Sequence, residues 1–368
     1  NQMTLVNGAS MTRRTMLLSL PTLALTTRCI AQRQVAPLSV IGLRGVTLAV
    51  SDVERSVAFY QDLFGLSVQR RNDQSTLLPF NDRSLGNFGG HFLTITEAGP
   101  AGPRIDHFSM AVDSLGTMHD VGGGDTVSNP FPNRVVETLA DHGITEVDNS
   151  EGLSGSRLRV RVGNDLWHDG EIYLSDLNGL IIRLLHPEDC GGVGPLGAYC
   201  LQRFPSAIDR SRGSLSLVSL SHLTINVPDP QSTNVFYQET FGMDVQALQA
   251  ASPLLGVGRG SDFLMFISLG RAGTANTAPA RINHACLTVE DFDVQRTQSV
   301  LEGHGIRPRE TRTGGSSPLR HWVSMRMPNR GGAREGTPEL YFTDPDGLSI
   351  QLQDVRYCGG GGYLGESC

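Results

Sequence analysis

With 368 residues, 39% of them hydrophobic and 18% charged, the chain has an ordinary globular composition and is too long for one average domain. Its net charge is −7, and without basic clusters it has little attraction for phosphate backbones, so nucleic acid is excluded as an expected partner. All 30 basic residues are arginine, which closes Schiff-base and lysine-base mechanisms.

The chain begins with a segment that reads as an address. Arg13 and Arg14 stand before a modest apolar run over 16–25, and small polar residues lead to Ala31. This resembles a twin-arginine export signal cleaved after residue 31, which predicts a periplasmic or extracellular protein; residues 1–10 precede Met11 and receive no role. Its removal takes away Arg13, Arg14 and Arg28 and no acid, leaving a charge of −10. The apolar run falls short of the ~18 residues a bilayer span requires, so no stable membrane insertion is expected.

A strand is predicted over 46–50 from its alternation, followed by a helix over 57–64 that Asp52 caps and Gly65 ends. Strands follow at 67–70 and 91–96. A second unit takes a strand at 106–112, a helix near 135–142, and strands at 157–162, 171–174 and 180–185. After a polar linker over 201–213 with Pro205 and Gly213, the pattern restarts: strand 222–227, helix 232–241 and strand 263–268. It closes with strand 284–289, helix 294–303 and strands 321–327, 339–342 and 348–353.

The chain is a tandem duplication. Phe59, Tyr60, Gly65 and His107 return 177 residues later as Phe236, Tyr237, Gly242 and His284; Asp176, Cys190 and Cys200 return 168 residues later as Asp344, Cys358 and Cys368. Two copies result, over 38–200 and 214–368, each made of two strand–helix–strand–strand–strand modules. The expected fold class is α+β, with four βαβββ modules in all. Cys190 with Cys200 and Cys358 with Cys368 each close a Gly-rich loop, and after export they read as two local disulfides; in a cytosolic chain they would read as free or metal-binding thiols. Cys286 is the odd thiol.

The phrases running from His222 to Asp229, from His284 to Asp291, and from Leu340 through Asp344-Pro-Asp-Gly to Gln351 resemble the vicinal oxygen chelate superfamily. That group includes glyoxalases, fosfomycin and bleomycin resistance proteins, and extradiol ring-cleaving dioxygenases. The resemblance covers nearly all of the chain after residue 40. It implies modules paired into two open barrels around a metal cleft, and four modules in one chain resemble the two-domain extradiol dioxygenases.

Strand parity sorts the side chains. Leu223, Ile225, Val227, Ala285, Leu287, Val289, Leu340, Phe342, Leu348, Ile350 and Leu352 are expected in the core. The opposite, cleft face then carries His222, Thr224, Asn226, His284, Cys286, Thr288, Tyr341, Gln351 and Gln353. His222, His284 and Gln351 occupy the positions where the family places its metal ligands. Two imidazoles and an oxygen donor suit a divalent first-row metal, Fe, Mn or Zn, that polarises adjacent substrate oxygens. Tyr341 is the candidate catalytic residue; Thr224, Asn226, Cys286 and Arg326 are candidate substrate contacts. Family dioxygenases carry glutamate where Gln351 stands, the counterpart of a fourth ligand is Met265, and a family histidine is missing from the stretch Gly332, Ala333, Arg334. The first copy has Gly45, His107 and Arg183 at the three positions, which leaves it without a ligand set; Arg183 could hold an anion there.

The expected function is that of an exported metal-dependent enzyme acting through the second copy on a small molecule with vicinal oxygens, with extradiol-type ring cleavage first. A Lewis-acid lyase or isomerase of glyoxalase type is the alternative, as is a non-catalytic binding protein of bleomycin-resistance type. A homo-oligomer is left open.

Overall fold

A computed structural model describes residues 38–72, 74–80, 90–113, 130–148, 152–153, 155–163, 171–187, 189, 213–269, 278–310 and 317–368. The export segment, Cys190, Cys200 and the linker up to residue 212 lie outside them. Among the described residues no helix is long and apolar enough to cross a membrane.

The first copy contributes β1 (Val40–Val50), α1 (Val53–Phe64), β2 (Arg70–Arg71), β3 (Ser75–Pro79), β4 (Phe92–Glu97), β5 (Arg104–Val112), α2 (Pro130–Ala140), β6 (Thr145–Glu146), β7 (Arg159–Val162), β8 (Ile172–Ser175) and β9 (Ile181–Leu185). The second contributes β10 (Leu217–Val227), α3 (Pro230–Phe241), β11 (Val245–Gln249), β12 (Ser252–Gly256), β13 (Phe263–Ser268), β14 (Arg281–Val289), α4 (Val294–Gly303), β15 (Arg307–Pro308), β16 (Arg320–Arg326), β17 (Thr337–Thr343) and β18 (Ser349–Asp354). Each copy is one nine-stranded mixed sheet, in the orders β2-β3-β4-β1-β5-β9-β8-β7-β6 and β11-β12-β13-β10-β14-β18-β17-β16-β15. The first strands of the two modules, β1 with β5 and β10 with β14, pair antiparallel at the centre of each sheet. The α+β class and the four modules are therefore as expected.

Local chemistry explains the helix ends. Asp52 accepts the backbone N–H of Arg55, Asp229 those of Gln231 and Ser232, and Asp293 that of Arg296, so each N-terminus gains a side-chain cap. α1 and α3 both stop at a left-handed glycine, Gly65 at φ 69° and Gly242 at φ 67°. The second helix starts at Pro130, five residues before its expected start, because prolines fit a first helical turn although they read as breakers in sequence. The hairpin of β11 and β12 was not foreseen: Val245 and Leu248 on this edge are 46% and 56% exposed, so no apolar face marks it. The same holds for β3, whose Leu77, Leu78 and Pro79 form a run without alternation.

The two copies share one core. Tyr60 in α1 donates to Asp344 Oδ2 at 3.2 Å, and its repeat, Tyr237 in α3, donates to Asp176 Oδ2 at 3.1 Å. Leu38 N–H bonds Thr240 O at 3.2 Å, and Leu215 N–H bonds Leu63 O at 3.1 Å, the same contact seen from the other copy. Each copy's first helix thus docks on the Asp turn of the other. Phe59 and Phe64 complete that joint against Phe342, with ring centroids at 6.3 Å.

Candidate metal and substrate site

Register places the site. Across β13, β10, β14, β18, β17 and β16 the partners run Phe263, His222, Cys286, Gln351, Tyr341, Trp322, one row of side chains over six strands. His284 sits one step along β14, opposite Thr224. The apolar residues of the same strands, Leu223, Ile225, Val227, Ala285, Leu287 and Val289, are all 0% exposed on the other face. Parity reasoning therefore sorts these strands correctly, and the structure brings His222, His284 and Gln351 together. All three are buried.

The His222 ring stacks on Phe263 with centroids at 4.3 Å and planes 9° apart, and Tyr357 covers it at 5.5 Å. His284 meets His222 edge-on at 5.6 Å and Tyr341 at 5.2 Å. The tautomer of His284 follows from its neighbours. Asn283 Nδ2 donates to Asn226 Oδ1 at 2.9 Å, which turns Asn283 Oδ1 toward His284 Nδ1, also at 2.9 Å. A carboxamide oxygen only accepts, so Nδ1 carries the proton and Nε2 keeps its lone pair. That buried Nε2 has no hydrogen-bond partner, nor has Gln351 Nε2.

Electrostatics keep both imidazoles neutral. Burial pushes His284 down to about 4; burial, then the neighbouring His284, pushes His222 well below the ordinary histidine value, with the Gln351 carboxamide acting the other way in both. Burial, then the negative charge of Glu339, raises the Tyr341 phenol and the Cys286 thiol, so both stay protonated.

Of the expected substrate contacts, Thr224 lies opposite His284, and Asn226 holds Asn283. Cys286 is 0% exposed between His222 and Gln351 in the row. Arg326 is 0% exposed and committed elsewhere: Nε donates to Glu339 Oε1 at 2.8 Å, and Nη1 donates to Gly331 O at 2.8 Å and Gly360 O at 3.0 Å. It straps the C-terminal loop, which the Cys358–Cys368 disulfide closes and which Gln246 and Gln249 also hold through Cys358 O and Gly359 O. Met265 packs beside the Leu254, Phe263 and Tyr357 cluster.

Three participants escaped the sequence reading. Glu339 accepts from Arg326, from Tyr341 Oη at 3.2 Å and from Tyr357 Oη at 3.3 Å. Its signal was a repeat, since Glu339 and Tyr341 recur from Glu171 and Tyr173 at the 168-residue offset. Asn283 stands where Asp106 precedes His107. Tyr357, just before a cysteine of the terminal loop, had no signal.

The first copy is filled by its own side chains. A Cβ at Gly45 would come within 2.2 Å of the Phe92 ring, which takes the space that His222 takes in the second copy. Both ring nitrogens of His107 are engaged, Nε2 with Thr47 Oγ1 at 3.0 Å and Nδ1 with Asp106 at 2.8 Å. Arg183 is ion-paired to Glu171 at 2.7 Å and lies 3.6 Å from Asp189, so its charge is already compensated without an anion.

Among the described residues no group of three or more His, Cys, Asp or Glu side chains is gathered for a metal. The available donor set is therefore two imidazoles and a carboxamide. The unpartnered His284 Nε2, held in the metal-binding tautomer by an outer carboxamide, fits a divalent metal.

Residues 219–352 match the Glyoxalase/Bleomycin resistance protein/Dioxygenase superfamily, and residues 45–77 match the Bleomycin resistance protein-like N-terminal family. No curated protein sequence matches the chain. Among solved structures, the fold is similar to the 2,3-dioxygenase LapB from Pseudomonas sp. KL28, at 14% identity and TM-score 0.55, covering 86% of this chain and 93% of that one. A variant of homoprotocatechuate 2,3-dioxygenase from B. fuscum is similar at 18% identity and TM-score 0.54, covering 88% and 74%. The Mn(II)-bound glyoxalase from Novosphingobium aromaticivorans is similar at 16% identity and TM-score 0.52, covering 86% and 82%. The two matched segments, together with two tandem domains of paired βαβββ modules, support the vicinal oxygen chelate superfamily for this chain.

Proposed function

We propose that the protein is a divalent-metal-dependent enzyme that acts through its C-terminal copy on a small molecule with adjacent oxygen atoms. The observation that carries this reading is the buried His284 Nε2, without a hydrogen-bond partner beside His222 and Gln351. His222, His284 and Gln351 would hold the metal, which when bound supplies Lewis-acid polarisation of vicinal oxygens. Tyr341 keeps its proton because of burial and Glu339, and serves as the hydrogen-bond donor or acid. Phe263 and Tyr357 pack against His222, and Trp322 stacks on Tyr341.

Extradiol ring cleavage stands first among reactions, on the two-domain architecture shared with the 2,3-dioxygenases and on Tyr341. A glyoxalase-type Lewis-acid reaction stands close behind. Gln351 is neutral, and Glu339, the nearest carboxylate in the cluster, is bound by Arg326 and two tyrosines rather than free to serve as a ligand. A non-catalytic binding protein has its own support, since His222 packs against two aromatic rings, Phe263 and Tyr357, as a packing histidine would. Export through the twin-arginine route is part of the proposal; the Cys358–Cys368 disulfide supports it.

The test is metal analysis of the purified protein beside its His222→Ala/His284→Ala variant, followed by turnover with catechols and with α-oxo thiohemiacetals. Stoichiometric metal that the double variant loses is the expected result. An equal metal content in both, or none in either after reconstitution with Fe, Mn and Zn, would overturn it and leave the binding protein.

A further inference from the structure

We infer that the cleft between the two copies is a binding site for a small oxyanion, a carboxylate or phosphate ester, and that it recognises the substrate of the metal site. The inference rests on the proposed function for the second clause only. The cleft measures about 1360 Å³ and takes its wall from both copies. Five arginines line it, Arg104 and Arg157 from the first copy and Arg281, Arg309 and Arg320 from the second, against two carboxylates, Asp106 and Asp229. A surplus of positive charge in a chain of net charge −7 is a local arrangement that the overall composition opposes.

Both carboxylates are already used. Asp106 is ion-paired with Arg104 and bonded to His107 Nδ1, and Asp229 caps α3 through the N–H groups of Gln231 and Ser232. Among the described residues, no carboxylate pairs with Arg157, Arg281 or Arg320, and Arg157 and Arg281 are exposed. Arg157, Arg281 and Arg320, lining one cleft with no carboxylate partner among the described residues, offer the planar, forked donors that suit carboxylate and phosphate oxygens.

Two residues of the cleft wall touch side chains of the candidate metal site. Asn283, whose carboxamide fixes His284, lines the cleft, and so does Trp322, which stacks on Tyr341 at 5.3 Å with planes 8° apart. A substrate whose anionic group sits on the arginines would therefore share the cleft with Asn283 and Trp322, the residues that touch His284 and Tyr341. This also gives the first copy a task that survives the loss of its own ligand positions, since it supplies Arg157 and one wall.

The experiment is calorimetric titration of metal-free protein with phthalate and, separately, inorganic phosphate at low ionic strength. Saturable binding that weakens with added salt is expected, and tighter phthalate than phosphate binding would identify a carboxylate ligand, the reverse a phosphate ester. Charge-assisted contacts of this kind imply a loss of about 30-fold or more in the Arg157→Ser/Arg281→Ser/Arg320→Ser variant. The Arg334→Ser variant, on another surface, should bind as the parent does. The His222→Ala/His284→Ala variant should also bind unchanged, which separates this site from the metal reading. Absence of saturable binding by either anion below ~10 mM, or a triple variant within threefold of the parent, would overturn the inference. So would loss of binding in the histidine double variant.

Discussion

Asn226→Ala tests the hydrogen-bond relay that sets the state of His284. The substitution removes the acceptor of Asn283 Nδ2, a 2.9 Å bond, and frees the Asn283 carboxamide to rotate. His284 Nδ1 then loses the fixed acceptor that keeps its proton away from Nε2. Outer partners of a metal-binding histidine typically contribute 10–100-fold to affinity, so about 1.4–2.7 kcal/mol of zinc binding should be lost. Folding should suffer less, by about 0.5–1.5 kcal/mol for one neutral hydrogen bond. Asn283→Asp supplies the counter-test, because it installs the carboxylate that Asp106 presents to His107 in the first copy. It still accepts from Nδ1 and should hold zinc at least as tightly as the parent. Zinc affinity is measured by competition with a chromophoric chelator, alongside urea unfolding and nitrogen NMR of the imidazole. An Asn226→Ala protein that binds zinc within twofold of the parent, while His284→Ala does not bind, refutes the relay.

Three further outcomes follow from named contacts. Gln351→Glu should tighten zinc binding about tenfold or more in the same competition assay, because a charged ligand replaces an amide; unchanged affinity removes residue 351 from the metal. Asp344→Asn should alter the pH dependence of stability. Burial raises the folded Asp344 carboxyl to about 6 from 3.8, so its contribution is fully present below 3.8 and is lost as pH rises through 6. Between pH 4 and 7 the parent should lose about 2 kcal/mol more than the variant by urea unfolding, and a loss of opposite sign refutes the assignment. Gly45→His should not restore a ligand set to the first copy. Its Cβ meets the Phe92 ring at 2.2 Å, so overpacking should cost about 1–3 kcal/mol, read as a lower denaturation midpoint with no gain in bound zinc.

Most of the fold was legible because burial on one face writes itself into strand parity. Leu223, Ile225 and Val227 alternate with His222, Thr224 and Asn226, and the repeat confirms each element a second time. β11 and β12 were illegible for the same reason in reverse: an exposed edge hairpin has no face to declare. Identity and parity put His222, His284, Gln351 and Tyr341 on one face, where the register also gathers them. The fate of Arg326 could not be read from parity, since a strand arginine on the cleft face looks the same whether it meets a ligand or a distant loop carbonyl. Only the chain folding back at Gly331 and Gly360 decides this. Tyr357 was hidden likewise, because its contact with His222 joins residues 135 positions apart with no shared pattern.

Comparing the copies separates packing from chemistry. The glutamate–tyrosine pair persists in both, Glu171 with Tyr173 at 2.7 Å and Glu339 with Tyr341 at 3.2 Å, and in each a buried arginine neutralises the glutamate. The arginine comes from a different place each time: Arg183 at the position of Gln351 in the first copy, Arg326 on β16 in the second. A buried carboxylate needs a cation wherever one can be supplied, so this constellation answers first to the energetics of burial. What the second copy has alone is a pair of facing imidazoles, one with an unused lone pair, and a carboxamide where the first copy places its guanidinium. Moving the cation from the Gln351 position to Arg326 empties the ligand row of positive charge while leaving the glutamate satisfied. That displacement is the physical difference between the first copy's filled barrel and the second copy's, on which the proposed metal site rests.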